Sequence, residues 1–209
     1  MTPDDLERAL ARTAPDPDPE AAATAARRAS ERAAASGAAD VAYAIEPSPL
    51  GDLLVATTQR GLVGIYYEDA GDVEALLDRL AGRLSPRVVE APARVDPVRR
   101  ELDEYFAGTR TTFEVPLDWS LTQGFTRRVL KATARIPYGG ASTYREMASR
   151  AGSERASRAA GNALGANPIP IVVPCHRVLR SGGALGGYGG GVERKRFLLE
   201  LEGVATGRI

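Results

Sequence analysis

The one cysteine and the one histidine of the chain are adjacent, as Cys175 and His176. A cysteine attacks electrophiles as the thiolate, which forms at neutral pH when a nearby base or positive charge lowers the pKa of the thiol. His176 can accept the proton, and Arg177 can add positive potential. The pair therefore indicates a nucleophilic cysteine. The alternative is a structural cysteine that packs as a small apolar side chain beside a histidine.

The backbone around this pair must depart from a regular strand if the thiol and the imidazole are to interact. Adjacent side chains on a regular strand point to opposite faces, and the preceding run Ile169 to Val173 is strand-like. We therefore predict that the chain turns at Pro174 and Cys175, or that a water molecule bridges the thiol and the imidazole.

Composition excludes several classes of protein and of site. One cysteine cannot form an internal disulfide, and one cysteine with one histidine cannot supply a closed tetrahedral zinc site. The longest apolar runs are far shorter than the roughly 20 residues of a membrane-spanning helix. The N-terminus is acidic and lacks the pattern of a signal peptide. We expect a cytoplasmic protein with no membrane partner and no cofactor. Any bound metal would need carboxylate ligands, and we expect none.

Charge is divided unevenly along the chain, although the formal net charge is zero. Residues 124–209 hold 14 Lys and Arg against 5 Asp and Glu, a net of +9, and residues 1–123 hold 13 against 22, a net of −9. A basic domain attracts polyanions by releasing their counterions, so nucleic acid is a candidate partner. An ordinary solvated, arginine-rich surface is the alternative.

The N-terminal part divides into an arm and a small domain. Residues 1–40 are rich in Ala, Pro and Asp, which predicts a flexible arm with marginal helices at Asp4 to Arg12 and Glu20 to Ala35. Residues 41–118 predict a supporting α+β domain. Its predicted elements are an antiparallel meander of three strands at 41–45, 53–57 and 62–66, a helix at 73–84, a strand at 87–90 and a helix at 98–106.

Residues 119–209 have a helical pattern. A first helix carries Phe125 and ends at a proline- and glycine-containing turn, and the Thr143-x-x-Glu146 spacing predicts a capping box at the start of a second helix. A third helix is predicted from Glu154 to Leu164, across a turn that contains Gly152. Two short helices joined in this way suggest a helix-turn-helix.

Small residues surround an arginine on the third helix. Ser157, Ala159 and Gly161 flank Arg158. Small side chains let a backbone approach a nucleic-acid groove closely, and one arginine can then reach into the base stack. Close packing of two helices through small residues is the alternative.

These motifs together resemble one family. The chain is similar, most strongly from Phe125 to Gly203, to the methylated-DNA–protein-cysteine methyltransferases, which are O6-alkylguanine-DNA alkyltransferases. The similarity is weak from Val41 to Trp119 and is not found before residue 41. The matching segments are Ile136-Pro137-Tyr138-Gly139, Thr143-Tyr144, Ser157-Arg158-Ala159-Ala160-Gly161-Asn162-Ala163, Asn167-Pro168, Pro174-Cys175-His176-Arg177-Val178, Tyr188-Gly189-Gly190-Gly191 and Leu198-Leu199-Glu200-Leu201-Glu202-Gly203.

The resemblance implies a fold and an activity. The fold would be α+β, with a ribonuclease H-like N-terminal domain and a helical, winged helix-turn-helix-like C-terminal alkyltransferase domain. The protein would act as a monomer on the minor groove of double-stranded DNA. It would transfer the alkyl group of O6-alkylguanine irreversibly to Cys175, with O4-alkylthymine as a second candidate substrate.

The resemblance also implies roles for individual residues. Cys175 would accept the alkyl group. His176, held by Glu202, would remove the thiol proton through a water. Asn167 would fix the turn before the cysteine, and Tyr144 would act on the flipped nucleotide. Further residues would contact DNA (Arg158, Ser157, Ala159, Gly161 and Arg177) or form the base pocket (Tyr144, Val178, Tyr188 and Gly189).

Other functions fit parts of the same sequence. A DNA-binding regulator could use the helix-turn-helix with Cys175 as a sensor, and a lesion-binding protein could recognise alkylated bases without transfer. A cysteine hydrolase is a third alternative. The hydrolase alternative is weakened because the sequence does not pair a glycine-rich oxyanion turn with a second orienting carboxamide besides that of Asn167.

Overall fold

The computed structural model describes residues 18–37 and 39–204. Its N-terminal domain contains the strands β1 (Val41–Glu46), β2 (Leu53–Thr58) and β3 (Gly61–Tyr67). β1 pairs antiparallel with β2, and β2 pairs antiparallel with β3, which confirms the predicted meander. β4 (Val88–Glu90) adds parallel to β1 and completes a sheet of order β3-β2-β1-β4. β3 is therefore an edge strand.

One helix covers each face of this sheet. α2 (Val73–Arg83), whose N-cap Asp72 accepts a hydrogen bond from the Glu74 amide, packs Leu76 and Leu80 against one face. α3 (Pro92–Phe106) packs its apolar side chains against the other. α3 begins at Pro92 rather than at the predicted Val98, because proline fits the first helical turn, where its missing N–H has no intrahelical partner.

The arm contains one described helix. α1 (Pro19–Ala35) confirms the helix predicted at Glu20 to Ala35, whereas the helix predicted at Asp4 to Arg12 lies outside the described residues. Packing of the domain begins just before residue 41, because Ala39 is fully buried in a small cluster with Ala42 and Ala91.

The C-terminal domain is built from short helices. The first three are α4 (Gly124–Thr133), α5 (Tyr144–Arg150) and α6 (Ser157–Gly165), and α7 (Val192–Leu201) follows the strand pair β5 (Ser142–Thr143) and β6 (Val178–Leu179). Thr143 and Glu146 form the predicted capping box. α6 starts at Ser157 rather than at Glu154. Within the described ranges, no helix is long and apolar enough to cross a bilayer.

The two domains share one hydrophobic core and are joined along β3. Val55 and Val95 of the first domain belong to the same buried cluster as Ile171 and Leu198 of the second. The edge strand extends this contact, because the Ile65 amide donates to the Pro168 carbonyl at 2.8 Å. The segment that carries Cys175 is therefore anchored to the sheet.

Gly61 is a position where only glycine fits. Its φ is +126°, and an added Cβ would lie 2.0 Å from the Pro116 carbonyl oxygen. We expect Gly61→Ala to lower the free energy of unfolding by about 2–4 kcal/mol, as backbone strain and overpacking add. Urea denaturation followed by circular dichroism measures this change.

The control is Gly82→Ala in α2, where an added Cβ meets nothing within 4 Å. This substitution should leave stability unchanged or raise it by up to about 1 kcal/mol, because alanine favours the helix. Equal stability of the two variants would contradict the close approach of Gly61 to the Pro116 carbonyl.

Candidate active site

Cys175 begins a single 3₁₀ turn, Cys175–Arg177, which follows Pro174 directly. The chain therefore turns where the sequence predicted. Upstream, Ile171 is fully buried and has a φ of 71°, a left-handed conformation that a β-branched residue rarely adopts. Such strain persists only where the surrounding structure imposes it, and it concentrates near functional sites.

Asn167 connects the end of α6 to the cysteine. Its Nδ2 group donates to Cys175 Sγ at 3.1 Å and to the Val173 carbonyl at 2.8 Å, while its Oδ1 accepts from the Ile169 amide at 3.0 Å. Burial raises the pKa of the Cys175 thiol, and the Asn167 hydrogen bond and the positive charge of Lys195 oppose that increase. The buried thiol is therefore mostly protonated until a base removes its proton.

The neighbouring His176 imidazole is a candidate for this base. Its Nε2 lies 2.9 Å from Glu202 Oε1, and its buried Nδ1 has no hydrogen-bond partner among the described residues. Burial lowers the pKa of His176 although Glu202 opposes this effect, so the imidazole is neutral at pH 7. An ionised Glu202 can only accept, so Nε2 carries the proton and Nδ1 carries a free lone pair.

Glu202 lies at the end of α7, and its side chain is fully buried. Besides His176, it accepts hydrogen bonds from Tyr105 Oη at 2.6 Å and from Arg177 Nε at 2.8 Å. Burial alone would raise the pKa of Glu202, but the hydrogen bonds from His176, Arg177 and Tyr105 bring it to about 2. The carboxylate therefore remains charged at physiological pH and fixes the imidazole tautomer.

Arg177 has a different place from the one predicted for it. Its guanidinium is buried, donates twice to Glu202 and once to the Ile136 carbonyl, and lies over the Tyr138 ring. These contacts occupy the side chain inside the protein, so the predicted DNA contact of Arg177 is not supported. In the structure, the positive charge of Arg177 neutralises the Glu202 carboxylate.

Lys195 is a site residue that the sequence reasoning missed. It is fully buried, and its Nζ donates to the Val178 carbonyl at 2.6 Å. Burial lowers the pKa of Lys195 to about 8, while the charge interaction with Cys175 acts in the opposite direction. A signal was present, because Lys195 lies three and four positions before the buried Leu198 and Leu199, on the apolar face of α7.

A cleft of about 390 Å³ opens beside Cys175, with Tyr188 and Gly189 among its lining residues. Val178 was predicted to line the base pocket, but it is fully buried and is not among the residues that line this cleft. Tyr144, also predicted for the base pocket, is not among the residues that line this cleft, and its hydroxyl lies 3.4 Å from the Gly187 carbonyl.

The residues predicted to contact DNA lie together at the start of α6. Arg158 and Ala159 are exposed, while Ser157 and Gly161 are partly exposed. Arg158 has no ion-pair partner in the part of the chain that the structure describes. Apart from Arg177, the predicted DNA-contact residues thus share one accessible surface.

Two family profiles match the chain. Residues 41–119 match the ribonuclease-like domain of 6-O-methylguanine DNA methyltransferase, and residues 124–204 match its DNA-binding domain. The predicted α+β fold, with these two domain types, is confirmed.

Individual relatives agree with the profiles. The methylated-DNA–protein-cysteine methyltransferase of Mycobacterium tuberculosis (strain H37Rv) is 54% identical over 102 residues, which are 49% of this chain and 61% of that relative. The constitutive enzyme of Bacillus subtilis is 37% identical over 166 residues, 78% of this chain and 96% of the relative. A crystal structure of Mycobacterium tuberculosis OGT in complex with DNA has a TM-score of 0.66 and 39% identity, covering 77% of this chain and 92% of that one. The chain therefore belongs to the methylated-DNA–protein-cysteine methyltransferase family.

Proposed function

We propose that the protein repairs DNA by direct reversal, moving the alkyl group of O6-alkylguanine to its own Cys175 in a single irreversible turnover. O4-alkylthymine is a second candidate substrate. The observation that carries this proposal is the buried arrangement of Cys175, His176 and Glu202 beside an open cleft, in which Nδ1 of His176 has a lone pair and no hydrogen-bond partner among residues 18–37 and 39–204. The names of the relatives support it and do not favour a regulator, a lesion binder or a hydrolase.

Activation of the sulfur would proceed through one water molecule held between Cys175 Sγ and His176 Nδ1. The water gives a proton to Nδ1 and takes the thiol proton, leaving a thiolate and an imidazolium. Glu202 stabilises the imidazolium through Nε2, because its own pKa is about 2. Lys195 and the Asn167 amide stabilise the thiolate.

The transfer step is an in-line displacement. The sulfur–carbon bond forms as the bond between carbon and O6 breaks, and the electron pair leaves with O6 of guanine. A proton supplied to the purine makes the leaving group neutral, and the phenol of Tyr144 is our candidate donor. The Gly189 amide would lie near the leaving oxygen. The resulting thioether cannot be hydrolysed readily, so each protein molecule acts once. Because the guanine leaves as a neutral or protonated group, the displacement is feasible without a metal.

The base must leave the duplex before sulfur can align with the bond that breaks. Arg158 would fill the space that the base vacates, and Ser157, Ala159 and Gly161 would let α6 lie in the minor groove. The net charge of +9 on residues 124–209 supports association with a polyanion. We propose that the protein works as a monomer in the cytoplasm.

The nucleophile is tested by Cys175→Ser. We expect the wild-type protein to gain one methyl group on Cys175 from a duplex containing O6-methylguanine and then to stop, as mass spectrometry of the peptides would show. Cys175→Ser should gain none, because a neutral hydroxyl is a far weaker nucleophile than a thiolate. It should still bind the damaged duplex. Continued turnover by the wild type, or methyl transfer by Cys175→Ser, would refute the proposal.

The role of the buried Glu202 carboxylate in methyl transfer is tested by Glu202→Gln. An amide at this position still accepts hydrogen bonds but cannot stabilise an imidazolium by charge, so the limiting rate of methyl transfer should fall about 10–100-fold. Rapid-quench kinetics at saturating duplex measures this rate. Glu200→Gln, on an exposed carboxyl of the same helix, is the matched control and should transfer at the wild-type rate. An unchanged rate in Glu202→Gln would remove the carboxylate from the mechanism.

The flipping role of Arg158 is tested by comparing two substrates. Arg158→Ala should slow repair of a duplex about 10-fold or more, because flipping a base costs a few kcal/mol that the arginine helps to offset. Reaction with free O6-benzylguanine should change less than about twofold, since no base is flipped there. Arg155→Ala, at an exposed arginine just before α6, controls for loss of charge alone. Equal losses on both substrates would rule out flipping as the role.

A further inference from the structure

The segment Tyr188–Gly191, called the pocket loop below, is held by the N-terminal domain. The hydroxyl of Tyr67, at the end of β3, lies 2.8 Å from the hydroxyl of Tyr188. The two rings meet edge to face with centroids 6.4 Å apart. The pocket loop also passes so close to Tyr67 that a Cβ added at Gly190 would lie 2.3 Å from its ring. Tyr67 is thus in contact with two positions of the loop.

Arg194 completes this connection from the first turn of α7. Its guanidinium lies over the Tyr67 ring, 4.3 Å from the centroid, a short distance for a cation–π contact. The same group donates to the Gly190 carbonyl at 3.1 Å and, on the other side, to the Leu50 carbonyl at 2.9 Å and to Asp69 at 2.6 Å. Arg194 therefore clamps the pocket loop and Tyr67 together.

We infer that Tyr67 is a positioning residue for the base pocket, which it shapes by holding the phenol of Tyr188 in place. This inference rests on the proposed function. Tyr67 lines the same cleft as Tyr188, Gly189 and Cys175, so the position of the loop and of Tyr67 beside it sets the space that an extruded base can enter. The N-terminal domain, through Tyr67, thereby takes part in substrate capture.

Loss of the Tyr67 hydroxyl should weaken capture of the extruded base rather than slow transfer of the alkyl group. The side-chain hydrogen bonds of Cys175, His176 and Glu202 join these residues to Asn167, Tyr105, Arg177 and Gly139 and join His176 to Glu202, and none of those found goes to Tyr67 or Tyr188. The pocket loop, in contrast, contains three consecutive glycines, whose backbone freedom makes an untethered loop costly to order. A tether that orders the loop in advance lowers the cost of binding the base.

Tyr67→Phe removes the hydroxyl and keeps the ring beneath Arg194. In single-turnover reactions with increasing concentrations of duplex containing O6-methylguanine, we expect the half-saturating duplex concentration to rise roughly 2–10-fold, the effect of one hydrogen bond. The limiting rate should stay within about twofold of the wild type, because the hydroxyls of Tyr67 and Tyr188 bond to each other and make no recorded hydrogen bond to Cys175, His176 or Glu202. If Tyr67 had a purely structural role, Tyr67→Phe would lower the midpoint temperature of unfolding but would not raise the half-saturating duplex concentration at an unchanged limiting rate.

Tyr43→Phe is the matched control, since Tyr43 is a half-buried tyrosine of β1 in the same sheet that does not line the cleft. It should leave both kinetic parameters unchanged. Coupling is tested with Tyr188→Phe and the double variant Tyr67→Phe/Tyr188→Phe. If the two hydroxyls act through their mutual hydrogen bond, the double variant should bind no more weakly than Tyr188→Phe alone.

The outcomes separate the two hypotheses. A wild-type protein that transfers no methyl group would overturn the proposed function itself. A wild type that transfers, with a Tyr67→Phe variant that has the same half-saturating concentration or a lowered limiting rate, would overturn only the positioning role. If Tyr67→Phe does not fold, Arg194→Lys replaces it, because lysine keeps the charge near Asp69 but loses the planar contact with Tyr67. The same increase in half-saturating concentration is expected, and its absence would overturn the inference.

Discussion

The site depends on one buried charge, the carboxylate of Glu202. An unpaired carboxylate in this position would be strongly destabilising, so every partner of Glu202 must be in place when the protein is folded. Those partners come from distant parts of the chain: Tyr105 on α3, the adjacent pair His176 and Arg177, and the Gly139 amide. Forming the core and orienting the histidine are therefore the same event.

The N-terminal domain is part of the site rather than a support for it. It donates the Tyr105 hydroxyl to Glu202, and its edge strand binds the Pro168 carbonyl, one residue beyond Asn167. The chain just before Cys175 and the carboxylate that holds His176 are thus each bonded to the first domain. Because both domains share one hydrophobic cluster, a shift of β3 would move the cysteine relative to its base.

Sequence reasoning succeeded where the cause was local. The capping box at Thr143 depends on residues three apart, and the structure confirms it. The turn at Cys175 was predicted because adjacent side chains on a strand point to opposite faces; the turn is present, but residues 167–174 before it form turns rather than the strand-like run expected at Ile169 to Val173. Sequence reasoning failed for Arg177, because an arginine in a basic domain looks like a DNA contact, and only the tertiary fold shows that its partner is Glu202. Tyr105 had no local signal at all. Lys195 had one, its position on an apolar helical face.

Burial of Cys175 has a consequence for a protein proposed to react only once. An exposed thiolate would be open to oxidation, and any such loss would be permanent for that molecule. Burial raises the pKa of the thiol and keeps it protonated, while Asn167, Lys195 and His176 stand ready to stabilise the anion. This arrangement fits the proposed function, because the thiol is mostly protonated and the groups proposed to activate it already lie around it.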